Sequence, residues 1–398
     1  MGRRAPDRQV AIVGAATSRF GELFDQSYDD LVATAARGAL ADAGIGARDV
    51  GAAWLGTAFP DAGVYRGRSG MDLAAPLGLF DVPITRVSNY CATGGDAARA
   101  AQASLLSGEC DVALVVGVEK LRDRPPRESI VGMMVETGDP LLQKGFTAAG
   151  TFAVTASRHM AVHGLTREDL ARVSVKNHAH GAKNPMAHHR KPVTIEQVLA
   201  SPMVADPLTV MDSCPTTDGA AAVVMVRAED ARRFEAPVFV RGLGLSVSTG
   251  WDLPFFDGSH DLLSFRATRV AAERAYAEAG IDSPLEQIDL AEVHDCFSIV
   301  ELVTYEDLGL CPAGGSAALL RSGATAHGGK LPVNVSGGLL SCGHPVGATG
   351  VRMVCEVTLH LRGRAGDRQV PGARLGLTHN IGGPGAVAVV IVLGKDAA

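Results

Sequence analysis

Short apolar runs of strand length alternate with amphipathic runs of helix length along most of this chain, and the helix-length runs close on glycine. Gln9 to Val13, Ala53 to Gly56, Pro83 to Val87 and Val112 to Val118 read as strands; Tyr28 to Asp42 reads as a helix closed by Gly44, Met71 to Leu77 as a weaker one, and Gly95 to Leu106 as a third. Val112 to Val118 carries no polar alternation, which is the pattern of a strand covered on both faces. The order βαβα predicts an α/β fold built on a largely parallel sheet with helices on either side. With 398 residues, 46% hydrophobic and 20% charged, the chain can bury a large core, as two or three domains or as one large duplicated fold.

A faint internal repeat favours duplication. Gly95 opens a helix that closes at Ser107-Gly108; Gly350 opens one, Val351 to Leu361, that closes at Arg362-Gly363 after the same interval. Each is preceded by a Gly-rich loop carrying a reactive residue, Cys91 or His344. Two similar halves would bring those helix starts together at the carboxyl ends of their strands, where open α/β sheets place ligands. The second half continues the alternation: strands at Ala220 to Val226, Val238 to Leu245, Leu290 to Val293, Ala373 to Thr378 and Ala386 to Leu393, with a helix at Ala267 to Ala279. Between the halves, Leu121 to about Val210 changes character, with Pro, His and Arg clusters around helix-like pieces at Thr151 to His163 and Arg167 to Ala179. The expected division is residues 1–120 for the N-terminal half, 121–211 for an inserted loop domain, 212–240 for a return strand of the first half and 241–398 for the C-terminal half.

A net charge of −6 offers nucleic acid no bulk attraction. Met1 to Pro6 is too short and polar for a signal peptide, and no apolar run reaches the length of a membrane span. The seven cysteines are scattered without a CxxC or a Cys/His cluster, which argues for reduced thiols, a cytoplasmic setting and no metal. The His-rich stretch Lys176 to Lys191 has no interleaved carboxylate or thiol and reads as a solvated loop.

Four segments carry chemistry: Asn89-Tyr90-Cys91-Ala92-Thr93-Gly94-Gly95; Glu292-Val293-His294-Asp295-Cys296-Phe297-Ser298; Gly337 to Gly350, containing Cys342-Gly343-His344-Pro345; and His379-Asn380-Ile381-Gly382-Gly383-Pro384-Gly385. Cys91 sits at a helix start, where free N–H groups and the helix dipole favour thiolate. A thiolate, an imidazole to take its proton, oxyanion donors and an acid/base for a second substrate are the parts of covalent thioester chemistry. Cys110, Cys214, Cys311 and Cys355 have no partner motif, Cys342 reads as packing, and His379 as a residue that shapes its loop.

Together these segments resemble those of the thiolase superfamily over nearly the whole chain, and His294-Asp295-Cys296-Phe297 resembles the sterol-carrier-protein-type thiolases and their bacterial and archaeal relatives. Gly343 to Gly350 and Ser213 to Ala222 are specific parts of that likeness. The resemblance implies the thiolase fold, a duplicated five-layer α-β-α-β-α arrangement with an inserted loop domain. It implies an acyl-CoA C-acyltransferase of the acetyl-CoA acetyltransferase or 3-oxoacyl-CoA thiolase type, working by ping-pong transfer through an acyl-cysteine. Cys91 matches the nucleophile, His344 its activating base, and His294 a donor to the enolate oxygen; the backbone N–H groups of Cys91 and Gly382 match an oxyanion hole. Conventional thiolases carry a second catalytic cysteine where this chain has Asn380, and the subfamily substitutes Cys296. Phe297 and Asn380 are expected at the substrate pocket, acyl-CoA and coenzyme A enter as substrates, and no cofactor is permanently bound. The resemblance also implies a homodimer or homotetramer and a small zinc-ribbon/OB-fold partner. It leaves as alternatives a ketoacyl-synthase-like enzyme, a retro-aldolase and a non-catalytic acyl-CoA-binding scaffold. The chain ends at Ala398, so no sterol-carrier lipid-binding domain is expected after the thiolase region.

Overall fold

The structure, a computed structural model, describes residues 9–136, 138, 147–248 and 261–397. The Met1 to Pro6 reading lies outside the described residues, as does part of the stretch from Leu121 to Val210. The strands are β1 (Val10–Thr17), β2 (Ala52–Gly56), β3 (Ile84–Val87), β4 (Val112–Glu119), β5 (Met203–Ala205), β6 (Leu208–Thr209), β7 (Gly219–Arg227), β8 (Val238–Val247), β9 (Leu290–Val293), β10 (Leu375–Gly382) and β11 (Val387–Gly394). All but β5 and β6, which pair with each other, join one sheet in the order β3-β2-β4-β7-β1-β8-β11-β10-β9.

The duplication is visible in that order. In the first half β2 runs parallel to β3 and β4, and β7 lies antiparallel between β4 and β1. In the second half β9 runs parallel to β10, and β11 lies antiparallel between β10 and β8. The counterpart of β3 shrinks to one parallel bridge, Ala291 to Val333. The halves meet where β1 pairs antiparallel with β8. The sheet is therefore mixed, and the expectation of a largely parallel one is corrected. β10 and β11 are joined by a tight turn, which only antiparallel neighbours allow. Strands covered on both faces look the same in sequence whichever way they run.

Alternate residues of these strands divide between helix layers. In β7, Ala221, Val223 and Met225 pack inward with the helices Thr93–Ser107 and Val346–Leu361, while Ala220, Ala222, Val224 and Val226 pack outward with Tyr28–Ala43. In β11, Val387, Val389, Ile391 and Leu393 join the same inner layer, and Ala388, Val390 and Val392 pack against Arg266–Ala279. Helix, half-sheet, paired helices, half-sheet and helix make five layers. The helix Val346–Leu361 is buried along its length except at Leu359, as an interior helix must be.

The two inner helices begin at Thr93 and Val346, earlier than the glycines Gly95 and Gly350 suggested. Glycine is required there for contact: a Cβ on Gly94 would sit 2.7 Å from the Val351 nitrogen, and one on Gly350 would sit 2.3 Å from the Gly95 nitrogen. The two helix starts are thus pressed together.

Between β4 and β7 lie the helices Pro126–Glu136, Ala148–His163, Arg167–Gly181 and Ile195–Ala200. The solvated-loop reading of the His-rich stretch is corrected for Lys176 to Gly181, which is helix; residues 182–191 are loop, and His189, Arg190 and Lys191 are exposed. His178 and His180 are buried on a helix, His180 Nδ1 meets the Asn334 carbonyl at 3.0 Å, and Lys176 pairs with Glu301 at 2.9 Å. Among the described residues, no helix is long and apolar enough to cross a membrane.

Candidate active site

Strand β3 ends at Val87, and a five-residue turn delivers Cys91 to the inner helix Thr93–Ser107. Tyr90 takes a left-handed φ of 49°, an uncommon conformation for a side chain of this size. The turn is held by hydrogen bonds: the Ala92 N–H donates to the Asn89 carbonyl (3.1 Å), the Asn89 N–H to Thr93 Oγ1 (2.7 Å), and Asn89 Nδ2 to Asp96 (3.0 Å). From the other half, His294 and Cys296 follow β9, and His344 precedes the helix Val346–Leu361.

The structure brings Cys91, His294 and His344 together: one ligand-type atom from each lies within 4.8 Å of the other two. Cys91, Cys296, His294, His344 and Phe297 all line one cavity of about 310 Å³. Its walls are apolar, with Phe59, Leu121, Met133, Phe152 and Val204 among them, and among the described residues no Asp, Glu, Lys or Arg lines it. Phe297 stacks on Phe152 with ring centroids 5.2 Å apart.

The two histidines are set in opposite tautomers by their neighbours. Thr349 Oγ1 donates to the Pro345 carbonyl (3.0 Å), so it accepts from His344 Nδ1 (2.6 Å). His344 Nε2 then carries the lone pair, and it is buried without a hydrogen-bond partner among the described residues. Asn380 is oriented by backbone: its Oδ1 accepts from the Gly95 N–H (3.3 Å) and its Nδ2 donates to the Cys91 carbonyl (2.8 Å). The same Nδ2 faces His294 Nδ1 at 3.2 Å, so Nδ1 accepts and Nε2 holds the ring proton. One imidazole is poised as a base and the other as a donor.

Burial keeps these groups neutral. It depresses His344 to about 3, with Arg352 adding to the effect, and holds His294 well below the usual imidazole range. Burial and the Glu119 carboxylate push the Cys91 thiol up to about 12, against the N–H groups of Gly383 and Cys91, which favour the thiolate. The helix start favours the thiolate, but desolvation outweighs it. The Cys296 thiol is also raised well above its ordinary value, by burial first and then by the charges of Cys214, Cys91 and Asp295.

Two expected positions shift. Asn380 was expected at the substrate pocket, but it stands one layer behind the cavity, buried against Cys91 and His294. Gly382 lies in β10 against the backbone of the nucleophile, where a Cβ would be 3.2 Å from the Cys91 nitrogen; its neighbour Gly383 lines the cavity. The segment His379 to Gly382 is strand, and His379 Nε2 lies 2.9 Å from Thr268 Oγ1. Cys342 is buried away from the cavity, 3.7 Å from Asn184 Nδ2.

Sequence reasoning passed over three residues. Cys214 was left without a role, yet it lines the cavity, and its N–H donates to the Cys296 carbonyl (2.9 Å) beside the antiparallel bridge Ser213 to Phe297. No local signal marks that pairing. Glu119, at the end of β4, accepts from Thr57 Oγ1 (2.8 Å), the Ala58 N–H (2.9 Å) and the Gly347 N–H (2.9 Å), tying the two halves beside Cys91. Asp295 turns away from the cavity and accepts from the Leu339 N–H (2.6 Å) and Asn177 Nδ2 (2.6 Å), which anchors the segment carrying His294 and Cys296.

Comparison with known proteins agrees with this geometry. Residues 10–229 match the family described as thiolase, N-terminal domain, and residues 254–395 the thiolase C-terminal domain-like family. The acetyl-CoA acetyltransferase of Methanothermobacter thermautotrophicus is 40% identical over 98% of this chain and 100% of its own length. Sterol carrier protein 2 of Bos taurus is 36% identical over 96% of this chain and 72% of its own. Among solved structures, the Ltp2-ChsH2(DUF35) aldolase superposes with a TM-score of 0.83 at 24% identity, covering 99% of this chain and 100% of that one. Human mitochondrial 3-ketoacyl-CoA thiolase in complex with CoA superposes with a TM-score of 0.74 at 20% identity, over 100% of each chain.

Proposed function

The chain belongs to the thiolase family, and from that premise we propose that it is an acyl-CoA C-acyltransferase in which Cys91 carries the acyl group. The observation that carries this reading is the convergence of Cys91 with two histidines of opposite tautomer on the floor of an apolar cavity that also holds Cys296.

His344 Nε2, the unpartnered lone pair, takes the Cys91 proton as the thiolate attacks an acyl-CoA carbonyl carbon. The oxyanion is met by the Cys91 N–H and the Gly382–Gly383 backbone. As the tetrahedral intermediate collapses, the coenzyme A thiolate leaves with a proton from the Cys296 thiol, and the acyl group stays on Cys91. The Cys296 thiolate then removes the α-proton of acetyl-CoA. Burial raises this thiol, which makes its thiolate a stronger base for a weakly acidic carbon. The enolate oxygen is held by His294 Nε2–H, and its carbon attacks the acyl-cysteine, forming the 3-oxoacyl-CoA and releasing the Cys91 thiolate, which takes its proton back from His344. The reverse sequence is thiolysis.

The inserted segment 121–211 supplies Ile130, Met133, Phe152 and Val204 to the cavity and would cover the acyl chain in a division at 1–120, 121–211, 212–240 and 241–398. A homodimer or homotetramer, a small zinc-ribbon/OB-fold partner and a cytoplasmic setting carry over from the resemblance; the seven free cysteines suit a reducing compartment. Intact-protein mass spectrometry after incubation with a panel of acyl-CoAs tests the central step. Acylation that maps to Cys91 and disappears in Cys91→Ala supports the reading. Undiminished thiolysis of acetoacetyl-CoA by Cys91→Ala would end it, and cleavage of a β-hydroxyacyl-CoA in place of acetoacetyl-CoA would assign the retro-aldol alternative.

A further inference from the structure

Away from the catalytic cavity, the helices Ala148–His163 and Ser298–Asp307 bring three metal-ligating side chains to one point. His159 and His163 are one turn apart on the first helix and so project from the same face; their ring centroids are 5.4 Å apart. Glu306 reaches them from the second helix, and one ligand atom from each residue lies within 4.8 Å of the other two. None of the three takes part in the acyl-transfer chemistry.

Each is already oriented. His159 is buried and its Nε2 lies 3.1 Å from the Leu263 carbonyl, so its Nδ1 is the nitrogen left over. His163 is exposed, but Gly314, at φ 75°, presses its Cα against the ring: a Cβ there would be 2.7 Å from Nδ1. Glu306 Oε1 accepts from Ser316 Oγ (2.6 Å), which fixes the carboxylate. A histidine in the last turn of a helix is ordinary, since it meets the negative end of the dipole. Two imidazoles and a carboxylate converging from two helices are not explained that way.

We propose that His159, His163 and Glu306 form a binding site for a divalent transition-metal ion of the zinc type. Two imidazole nitrogens and one carboxylate oxygen suit zinc rather than the all-oxygen preference of calcium or magnesium. A tetrahedral ion with bonds of ~2.0–2.1 Å holds its ligand atoms roughly 3.4 Å apart. The Glu306 carboxylate can keep Oε1 on Ser316 and turn its other oxygen to the ion, a small shift of the His163 ring closes the remaining gap, and the Leu263 carbonyl backs His159 as an outer partner. The expectation of no metal, drawn from scattered cysteines, did not weigh these residues, because Glu306 is distant in sequence.

The ion would act on the acyl wall. At its other end the first helix places Ala148, Ala149 and Phe152 on the cavity, and the second begins immediately after Phe297. Zinc at the far ends would clamp the two helices whose Phe152 and Phe297 rings stack over the cavity.

Chelator-treated protein is titrated with zinc sulfate by calorimetry and with cobalt(II) by visible spectroscopy, with the zinc-dependent change in Tm measured in parallel. The site predicts one ion per chain, a cobalt spectrum of nitrogen and oxygen ligation, and a rise in Tm. His163→Ala and Glu306→Gln should each weaken zinc binding at least tenfold and abolish the rise in Tm, with zinc-free thiolysis unchanged. Unaltered zinc affinity in both variants would overturn the proposal, as would a cobalt–thiolate band lost in Cys91→Ala, which would put the ion in the catalytic cavity.

Discussion

By the resemblance, Asn380 stands where conventional thiolases carry a thiol, and its amide predicts a separation between the two halves of the reaction. Asn380→Asp keeps the shape and removes the donor. The lost contacts are those from Nδ2 to the Cys91 carbonyl (2.8 Å) and to His294 Nδ1 (3.2 Å). With only acceptors left, residue 380 would draw the His294 proton to Nδ1 and turn a lone pair toward the enolate. Losing one such donor costs ~10²–10³ in rate, about 3–4 kcal/mol. Acylation of Cys91 does not use His294 and should stay within about tenfold, the scale of one net hydrogen bond of ~0.5–1.5 kcal/mol to the Cys91 carbonyl. Asn380→Ala should show the same split together with lower stability, since it also strands the Gly95 N–H. The assay pairs single-turnover acylation, followed by intact mass, with steady-state condensation; the nitrogen shifts of the labelled His294 ring report its tautomer. Wild-type turnover by Asn380→Asp would refute the tautomer reasoning. An equal fall in both steps would reduce Asn380 to a support for the Cys91 backbone.

The resting state gives a second expectation. With the Cys91 thiol pushed up to about 12 and His344 depressed to about 3, alkylation by iodoacetamide should still accelerate through about pH 9; a plateau below about pH 7 would reveal a thiolate–imidazolium pair instead. Cys214 and Cys296 both line the cavity, but only Cys296 is assigned the α-proton. Cys296→Ala should therefore slow acylation, where its thiol protonates the leaving coenzyme A thiolate, and lose exchange of the acetyl-CoA α-hydrogens with solvent, measured by deuterium uptake, while Cys214→Ala keeps both; the opposite pattern would move the role to Cys214. Stability should carry a pH signature from Asp307, whose buried carboxyl is raised from 3.8 to about 6, by burial first and against the Phe265 N–H and Arg269. The unfolded chain releases this proton near 3.8 while the folded chain holds it to about 6. The group's contribution is thus greatest in acid and falls by ~3 kcal/mol as pH rises through that window. Urea unfolding across the window should show Asp307→Asn flattening the slope; an unchanged slope would show that Arg269 keeps the folded carboxylate ionised.

The parts of the fold that were legible in sequence were those with a local cause. Leu290 to Val293 reads as a strand because four apolar-rich residues end at a polar cluster, and it is one. The helix at Val346 was read as starting at Val351, because Pro345, Gly347 and Gly350 look like loop; what makes them helix is the close approach of Gly94, which lies in the other half. His379 to Gly382 looked like loop for the same reason, and it is strand because Val387 to Val390 pair with it. The site divides likewise. Cys91, His294, Cys296 and His344 could be singled out because each lies in a distinctive local motif. Cys214 could not, since its place opposite Cys296 depends on a bridge between Ser213 and Phe297. Asn380 lies between these cases. The sequence shows that a thiol is missing there, a fact about one position. What the amide does instead depends on the Gly95 N–H and the Cys91 carbonyl, both in the segment Asn89 to Gly95, and on His294 Nδ1 in another; together they orient it and through it the His294 proton. A side chain that works by bonding to two distant segments at once leaves no pattern along the chain, so its role becomes visible only once the halves are packed together.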